Sequence, residues 1–287
     1  MLNNLAGLLE SQGKYNEAKP LYERKQGKYD EAKRLYERAI EIEKKSLNEN
    51  HPEVAKTLNN LAHLLHLQGD YDNAKILYER SFRIRQEKLG PNHPDVASAF
   101  NNLAALLHDQ GKYDEAKPYY QRALVIVEQT YGPNHPLVAN ALNNLAGSLA
   151  DQGKFDEAKE LYGRALRIRE KNLGSKHPDV ATTLHNLASL YLAQGKGEEA
   201  KRRYERAIEI WKKVYGPNHP HVATGLLSLA RLLSFQGKFK KALPLVQRAL
   251  DIYKAKLPPQ HPDIIRAQMS LNDIDNEFRN SRRRRRR

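Results

Sequence analysis

The chain has 287 residues, and its 48 Lys plus Arg against 34 Asp plus Glu give a formal charge of +14, part of it carried by the unbroken terminal run Arg282 to Arg287. It contains no cysteine, which excludes disulfides, zinc ribbons, thiolate nucleophiles and iron–sulfur clusters and suits a reducing, cytoplasmic setting. No apolar run approaches the ~20 residues that span a bilayer, and the N-terminus has neither the basic region nor the cleavage site of a signal peptide.

Residues 1–50 open the chain irregularly. The segment Gln12 to Arg24 recurs as Gln26 to Arg38, displaced by 14 residues. That displacement is close to four helical turns, so Tyr15 and Tyr29, or Tyr22 and Tyr36, fall on nearly the same face. A first helix is expected to about Ser11, followed by a helical stretch broken or bent near Gly27. Met1 begins inside what reads as a first helix lacking its His-Pro opening.

From residue 51 the pattern is regular. His-Pro recurs at His51, His93, His135, His177, His219 and His261, always 42 residues apart, and Gln-Gly keeps the same rhythm from Gln68 to Gln236. Five units therefore occupy 51–260, each one structural block stacked on the next. Within the unit that starts at His93, Pro94 fits a first helical turn and Asp95 complements the helix dipole. Val96, Phe100, Leu103, Ala104 and Leu107 recur at helical spacing, and Gly111 ends the helix in a left-handed position. Tyr113, Ala116, Tyr120, Ala123, Leu124 and Val127 mark a second helix that stops at Gly132. No segment alternates with period two, so strands are not expected.

A period near 42 alone also suits HEAT-type helices or propeller blades. Internal spacing decides: Leu61, Ala62, Leu65, Gly69, Tyr71, Ala74 and Tyr78 follow the tetratricopeptide order of large and small residues. The expected fold is all-α, a right-handed superhelical solenoid of antiparallel helix pairs. The stretch His177 to Lys196 and its four counterparts closely resemble the long tetratricopeptide repeats of kinesin light chains and their bacterial relatives. That resemblance implies a protein or peptide partner held by a non-catalytic scaffold.

After the last unit, residues 261–280 read as a first helix without its partner, a cap for the array. Residues 281–287 read as a disordered, solvated arginine tail, suited to nonspecific, salt-sensitive contact with polyanions rather than to specific nucleic-acid readout.

Catalytic candidates are few. The six His-Pro histidines recur at every helix entrance, which points to capping rather than to unlike groups converging on one site. His63, His66 and His108 cluster on first helices, but neighbouring axes about 8–10 Å apart keep His66 and His108 from sharing a metal. No phosphate loop or nucleophile motif is present. The reading is of a protein with no enzymatic activity, no cofactor and no metal.

Binding is the better prospect. The stripe of each first helix opposite its apolar face is small or polar, and in a stack of hairpins it lines the concave surface. Asn60, Asn102, Asn144 and Asn186 form a ladder broken by Ser228, which stands at the next equivalent position, with Lys56, His63 and Arg231 on the same stripes. An Asn amide donates to and accepts from a peptide backbone at once. With rungs about 10 Å apart and a peptide rising about 3.3 Å per residue, four rungs hold roughly nine ligand residues. Equivalent Asn positions in peptide-binding tetratricopeptide domains contact the ligand backbone, as the resemblance implies. Asn59, Asn101 and Asn143 sit nearer the helix contacts and read as structural. Kinesin light chains that capture acidic, tryptophan-centred peptides use basic groove positions, whereas here Asp109 and Asp151 lie between Lys56 and Arg231. The alternative partner is a polyanion held by the arginine tail and by outer-face cations such as Lys75, Arg80, Arg83, Arg85 and Lys88.

One departure concerns stability. Tyr71, Tyr113, Phe155 and Phe239 share an early position of the second helix, and Gly197 replaces the aromatic in the fourth unit. That unit is expected to open first in hydrogen exchange.

Overall fold

A computed structural model describes residues 29–257, 259 and 261–284. The expected first helix, the bend near Gly27, Tyr15 and Tyr22 lie outside the described residues. Twelve helices and no strand occur among them. In chain order they are α1 (Tyr29–Leu47), α2 (Pro52–Leu67), α3 (Tyr71–Leu89), α4 (Pro94–Asp109), α5 (Tyr113–Tyr131), α6 (Pro136–Asp151), α7 (Phe155–Leu173), α8 (Pro178–Ala193), α9 (Gly197–Tyr215), α10 (Pro220–Phe235), α11 (Phe239–Lys256) and α12 (Pro262–Arg284).

Each even-numbered helix starts in one way. The imidazole Nδ1 of His51, His93, His135, His177, His219 or His261 accepts a hydrogen bond from the backbone N–H two residues on, at 3.1–3.2 Å. Pro occupies the first turn, where its missing N–H has no helical partner. The repeated histidines are thus N-caps, and Nδ1 must be the unprotonated nitrogen. The helices end as predictably. Gly111 has φ +75°, and the Lys112 N–H reaches the Leu107 carbonyl at 2.9 Å in a Schellman turn. After α1 the left-handed residue is Asn48, φ 88°, which takes the place held by Gly90, Gly132, Gly174 and Gly216 after α3, α5, α7 and α9.

The chain divides into two compact units, Gly27–Asn172 and the described residues from Leu173 onward. In the first, α1 packs on α2, α3 on α4 and α5 on α6, and α2–α3 and α4–α5 form hairpins. The buried faces carry the repeated small residues Ala62, Ala74, Ala104 and Ala116, all fully buried, with Leu58, Leu64, Leu106 and Tyr78 filling the space between helices. Each such aliphatic side chain withdrawn from water stabilises the fold by about 1.5–3 kcal/mol. Val138, Ala139 and Leu142 of α6 pack with Ala165 and Ile168 of α7. In the second unit α8–α9 and α10–α11 are the hairpins, and α12 lies against α11 and α10.

One detail adds to the sequence expectation and another differs from it. Gln236, the glutamine that every Gln-Gly turn repeats, approaches Gly197, its Nε2 lying 2.9 Å from the place a Cβ would take. Further along α9, Tyr204, Ile208 and Trp211 are buried. The last helix continues to Arg284, past the residue 280 boundary read from sequence. Arginine is a good helix former and its charge favours a helix C-terminus, and the Arg282 guanidinium lies 5.8 Å above the Phe278 ring one turn back.

Candidate functional site: the first-helix stripes

Within Gly27–Asn172 the even helices touch side by side, and their contact is specific. Asn102 Nδ2 donates to Asn59 Oδ1 at 2.8 Å, and Asn144 Nδ2 donates to Asn101 Oδ1 at 2.7 Å. One turn or more further along, His66 Nε2 meets Asp109 Oδ2 and His108 Nε2 meets Asp151 Oδ2, each at 2.8 Å. All four pairs span 43 residues, one repeat plus one residue, because a helix meets its neighbour one step out of register.

These contacts settle where the expected site residues stand. Lys56, Asn60 and His63 are exposed on α2; Lys56 pairs with Glu53 at 3.5 Å, and His63 Nδ1 is 3.5 Å from the Tyr78 hydroxyl. Asn102 is half-buried and Asn144 exposed. Each keeps its carbonyl oxygen and one N–H beyond the lateral bond, while that bond fixes the plane of the amide. Asn59 and Asn101 are the acceptors that hold them, and Asn143 is buried with its Nδ2 on the Ala139 carbonyl. Asp109 and Asp151, read from sequence as groove charges, are engaged by the two histidines.

Around the ladder amides lies a depression of ≈ 360 Å³, lined by Asn101, Asn102, Asn140, Asn144, Tyr131 and Leu137. Tyr131 and Leu137 are about two-fifths exposed, so polar amides and accessible apolar surface share one recess. Beneath it a buried cation appears that sequence reasoning missed. Arg169 is 6% exposed, and its Nη2 donates to Asn140 Oδ1 at 2.7 Å. Arg85, assigned from sequence to the solvated outer face, holds the same repeat position and is likewise turned inward. It donates to the Asp95 carbonyl at 3.1 Å, and burial lowers its pKa. The signal was present: Val127, Trp211 and Tyr253 fill that position in the other repeats, which marks it as an inter-repeat contact.

Tyr120 and Tyr162 also underlie the stripes. Burial, then the nearby Asp109 and Asp151 respectively, raises both phenol pKa values, so the hydroxyls stay donors at neutral pH. The Tyr162 hydroxyl is 3.5 Å from where a Cβ on Gly147 would stand.

From Leu173 onward the stripe has a different chemistry. His185 Nε2 meets Ser228 Oγ at 3.0 Å, and the Ser189 and Tyr204 hydroxyls are 2.8 Å apart. Asn186 is half-buried and bonds to His185. Arg231 is exposed, as is Phe235 at 77%. His185 lies 5.2 Å from the Tyr204 ring and 5.7 Å from Trp211, which stacks on His221 at 5.5 Å. Burial pulls the His185 pKa down to about 4, and burial, with His221 and Lys256 adding to it, does the same to His219.

Among the described residues no group of three or more His, Cys, Asp or Glu is placed to hold a metal ion, and no helix is long and apolar enough to cross a membrane. A tetratricopeptide repeat pattern matches residues 21–87, 53–108, 95–171, 138–207 and 179–255, and a second one matches residues 1–24. The chain belongs to the tetratricopeptide repeat family. Such repeats generally serve protein interaction. Among solved structures the chain is similar to BtubC (BKLC) from P. vanneervenii, with TM-score 0.64 and 26% identity over 83% of this chain and 93% of that one. It is also similar to a putative kinesin light chain of nearly identical TPR-like repeats from Podosopora anserina. That likeness has TM-score 0.60 and 27% identity over 71% of this chain and 96% of that one. No curated protein matches. The tetratricopeptide repeats are thus of the kinesin-light-chain type.

Proposed function

We propose that the first-helix stripes of Gly27–Asn172 form a concave groove that holds an extended peptide segment of a protein partner, and that the chain acts as a non-catalytic scaffold. The observation that carries this is the row Asn60, Asn102, Asn144. Two of its amides are held in fixed planes by Asn59 and Asn101, with donor and acceptor valences left over beside an open recess. Preorganised amides lose little freedom when a ligand binds. The Tyr131 and Leu137 surfaces supply the apolar contact that backbone hydrogen bonds lack. Each hydrogen bond nets about 0.5–1.5 kcal/mol, and ordering a flexible ligand offsets several, which places affinity in the micromolar range. From Leu173 onward, Asn186, Ser228 and Arg231 are the matching candidates.

The test is a peptide-display selection on the full chain, followed by titration of a selected peptide against wild type and the Asn102→Ala/Asn144→Ala double variant. The double variant is expected to bind about tenfold more weakly or worse, with its helical circular dichroism retained. Equal binding by a folded double variant would remove the ladder from the mechanism. Asn59→Ala/Asn101→Ala, which frees the rung amides without deleting them, should fall between the two.

The polyanion alternative draws less support from the outer face. Arg80 pairs with Glu49 at 3.1 Å, Lys117 with Glu157 at 3.4 Å, and Arg164 with Glu128. A surface whose cations already have carboxylates attracts anions weakly.

A further inference from the structure

One end of the second unit breaks the charge pattern of the repeat. Second helices begin Tyr29-Asp30-Glu31, Tyr71-Asp72-Asn73, Tyr113-Asp114-Glu115, Phe155-Asp156-Glu157 and Gly197-Glu198-Glu199, whereas α11 begins Phe239-Lys240-Lys241. In Gly27–Asn172 this edge is neutralised by lysine–carboxylate pairs between successive repeats, Lys154 with Asp114 at 3.8 Å and Lys117 with Glu157 at 3.4 Å. At α11 the acidic half of that arrangement is replaced by two further lysines.

The result is a cleft of ≈ 630 Å³ between the start of α11 and the end of α12, lined by Lys238, Lys240, Lys241, Arg282, Phe239 and Phe278. Among the described residues none of the four cations is paired with a carboxylate. Lys238 donates to Gln236 Oε1 at 2.8 Å, and Arg282 lies over the Phe278 ring. Glu277, next to Phe278, accepts from the Ser234 hydroxyl at 3.0 Å. The two phenylalanine rings lean on each other at 6.1 Å and give the cleft an apolar floor.

We infer that this cleft is a second binding site, separate from the groove, for a peptide segment of clustered carboxylates. Three considerations select that occupant. Four unpaired cations around one recess repel one another and raise the local concentration of anions. Elsewhere along the same edge the partner chosen for lysine is an Asp or Glu side chain, so a carboxylate-bearing segment supplies the missing half of the pattern. The Phe278 ring already carries a guanidinium, which leaves it poorly suited to stacking a nucleobase, the contact on which single-stranded nucleic acid relies.

The experiment is fluorescence anisotropy with a labelled oligoglutamate peptide and the full chain, with an oligothymidylate as the competing arm. Lys240→Asp/Lys241→Glu restores the charge pattern of the other repeats, so the variant keeps its fold, which circular dichroism checks. It is expected to lose oligoglutamate binding by about tenfold or more. Deleting residues 283–287 should change the affinity by less than about threefold, since the four cations that line the cleft remain and further charges act through a screening solvent. The Asn102→Ala/Asn144→Ala variant should bind oligoglutamate as wild type does, so the cleft and the groove fail or stand separately. The inference is overturned if the charge-restoring variant binds unchanged, or if removal of residues 283–287 abolishes binding. It is also overturned if the groove variant loses the peptide, or if oligothymidylate displaces it with higher affinity than oligoglutamate itself.

Discussion

In Gly27–Asn172 neighbouring first helices are tied by like pairs used twice over, amide to amide at Asn59–Asn102 and Asn101–Asn144 and imidazole to carboxylate at His66–Asp109 and His108–Asp151. From Leu173 onward the same 43-residue relation joins His185 to Ser228 and Ser234 to Glu277, and a group of histidines and large aromatics fills the space beneath. One scaffold thus carries two chemistries. Helix ends, small packing residues and tyrosines at fixed positions repeat because each hairpin must stack on the next. The residues that differ at equivalent positions stand where stacking leaves a choice, and there the two regions have diverged, one toward a fixed polar ladder and the other toward a titratable core.

That contrast can be broken most forcefully with acid. His185 and His219 have folded pKa values depressed to about 4, below the unfolded value of about 6.5. Both prefer to be neutral in the fold. Their contribution is intact above pH ~6.5 and is lost as pH falls toward the folded value, because the unfolded chain binds the protons more readily. Trp211 is the chain's one tryptophan and sits beside His185 and His221, so its fluorescence reports on this region alone. Acidification from about pH 6.5 to 4 should expose Trp211 while amide exchange in α4–α6 stays slower than in α8–α10. Simultaneous loss of both regions, or unchanged Trp211 emission at pH 4, would contradict the assignment.

Two glycines sharpen the comparison with a smaller effect. A Cβ at Gly225 in α10 would stand 2.5 Å from Ile208 Cγ1 and 3.3 Å from Trp211, so Gly225→Ala should destabilise by about 1–3 kcal/mol through overpacking. At Gly147 in α6 the nearest atom would be the Tyr162 hydroxyl at 3.5 Å, an ordinary contact. Gly147→Ala should therefore stabilise by about 0.5–1 kcal/mol, the usual gain of alanine over glycine inside a helix. Thermal or urea unfolding of the two variants checks the opposite signs.

Much of this architecture is legible in the chain before any coordinates. The 42-residue spacing of His-Pro, the prolines at first turns and Gly111 after α4 state where helices begin and end, since those residues meet backbone requirements that few others can. Exposure of Lys56, Asn60, His63, Asn144 and Arg231 also follows from helical periodicity. The lateral pairs were not foreseen because they depend on how far one helix slides along its neighbour, which periodicity within a helix does not encode. Complementary residues recurring 43 apart, His with Asp twice, were the available sign. Arg85 is assigned to the outer face, and Arg169 draws no notice, because a charged residue on a polar helix reads as solvated, although a buried guanidinium can be satisfied by carbonyl and amide oxygens.

The ladder is tested most directly by the side-chain amide resonances of Asn60, Asn102 and Asn144 in a nitrogen-15 correlation spectrum, followed as a display-selected peptide is titrated into the full chain. The account predicts that these three amide pairs shift and saturate together, with the Asn59 and Asn101 pairs responding less. Saturable binding that leaves all three unmoved, with shifts confined to residues of the second helices, would contradict it.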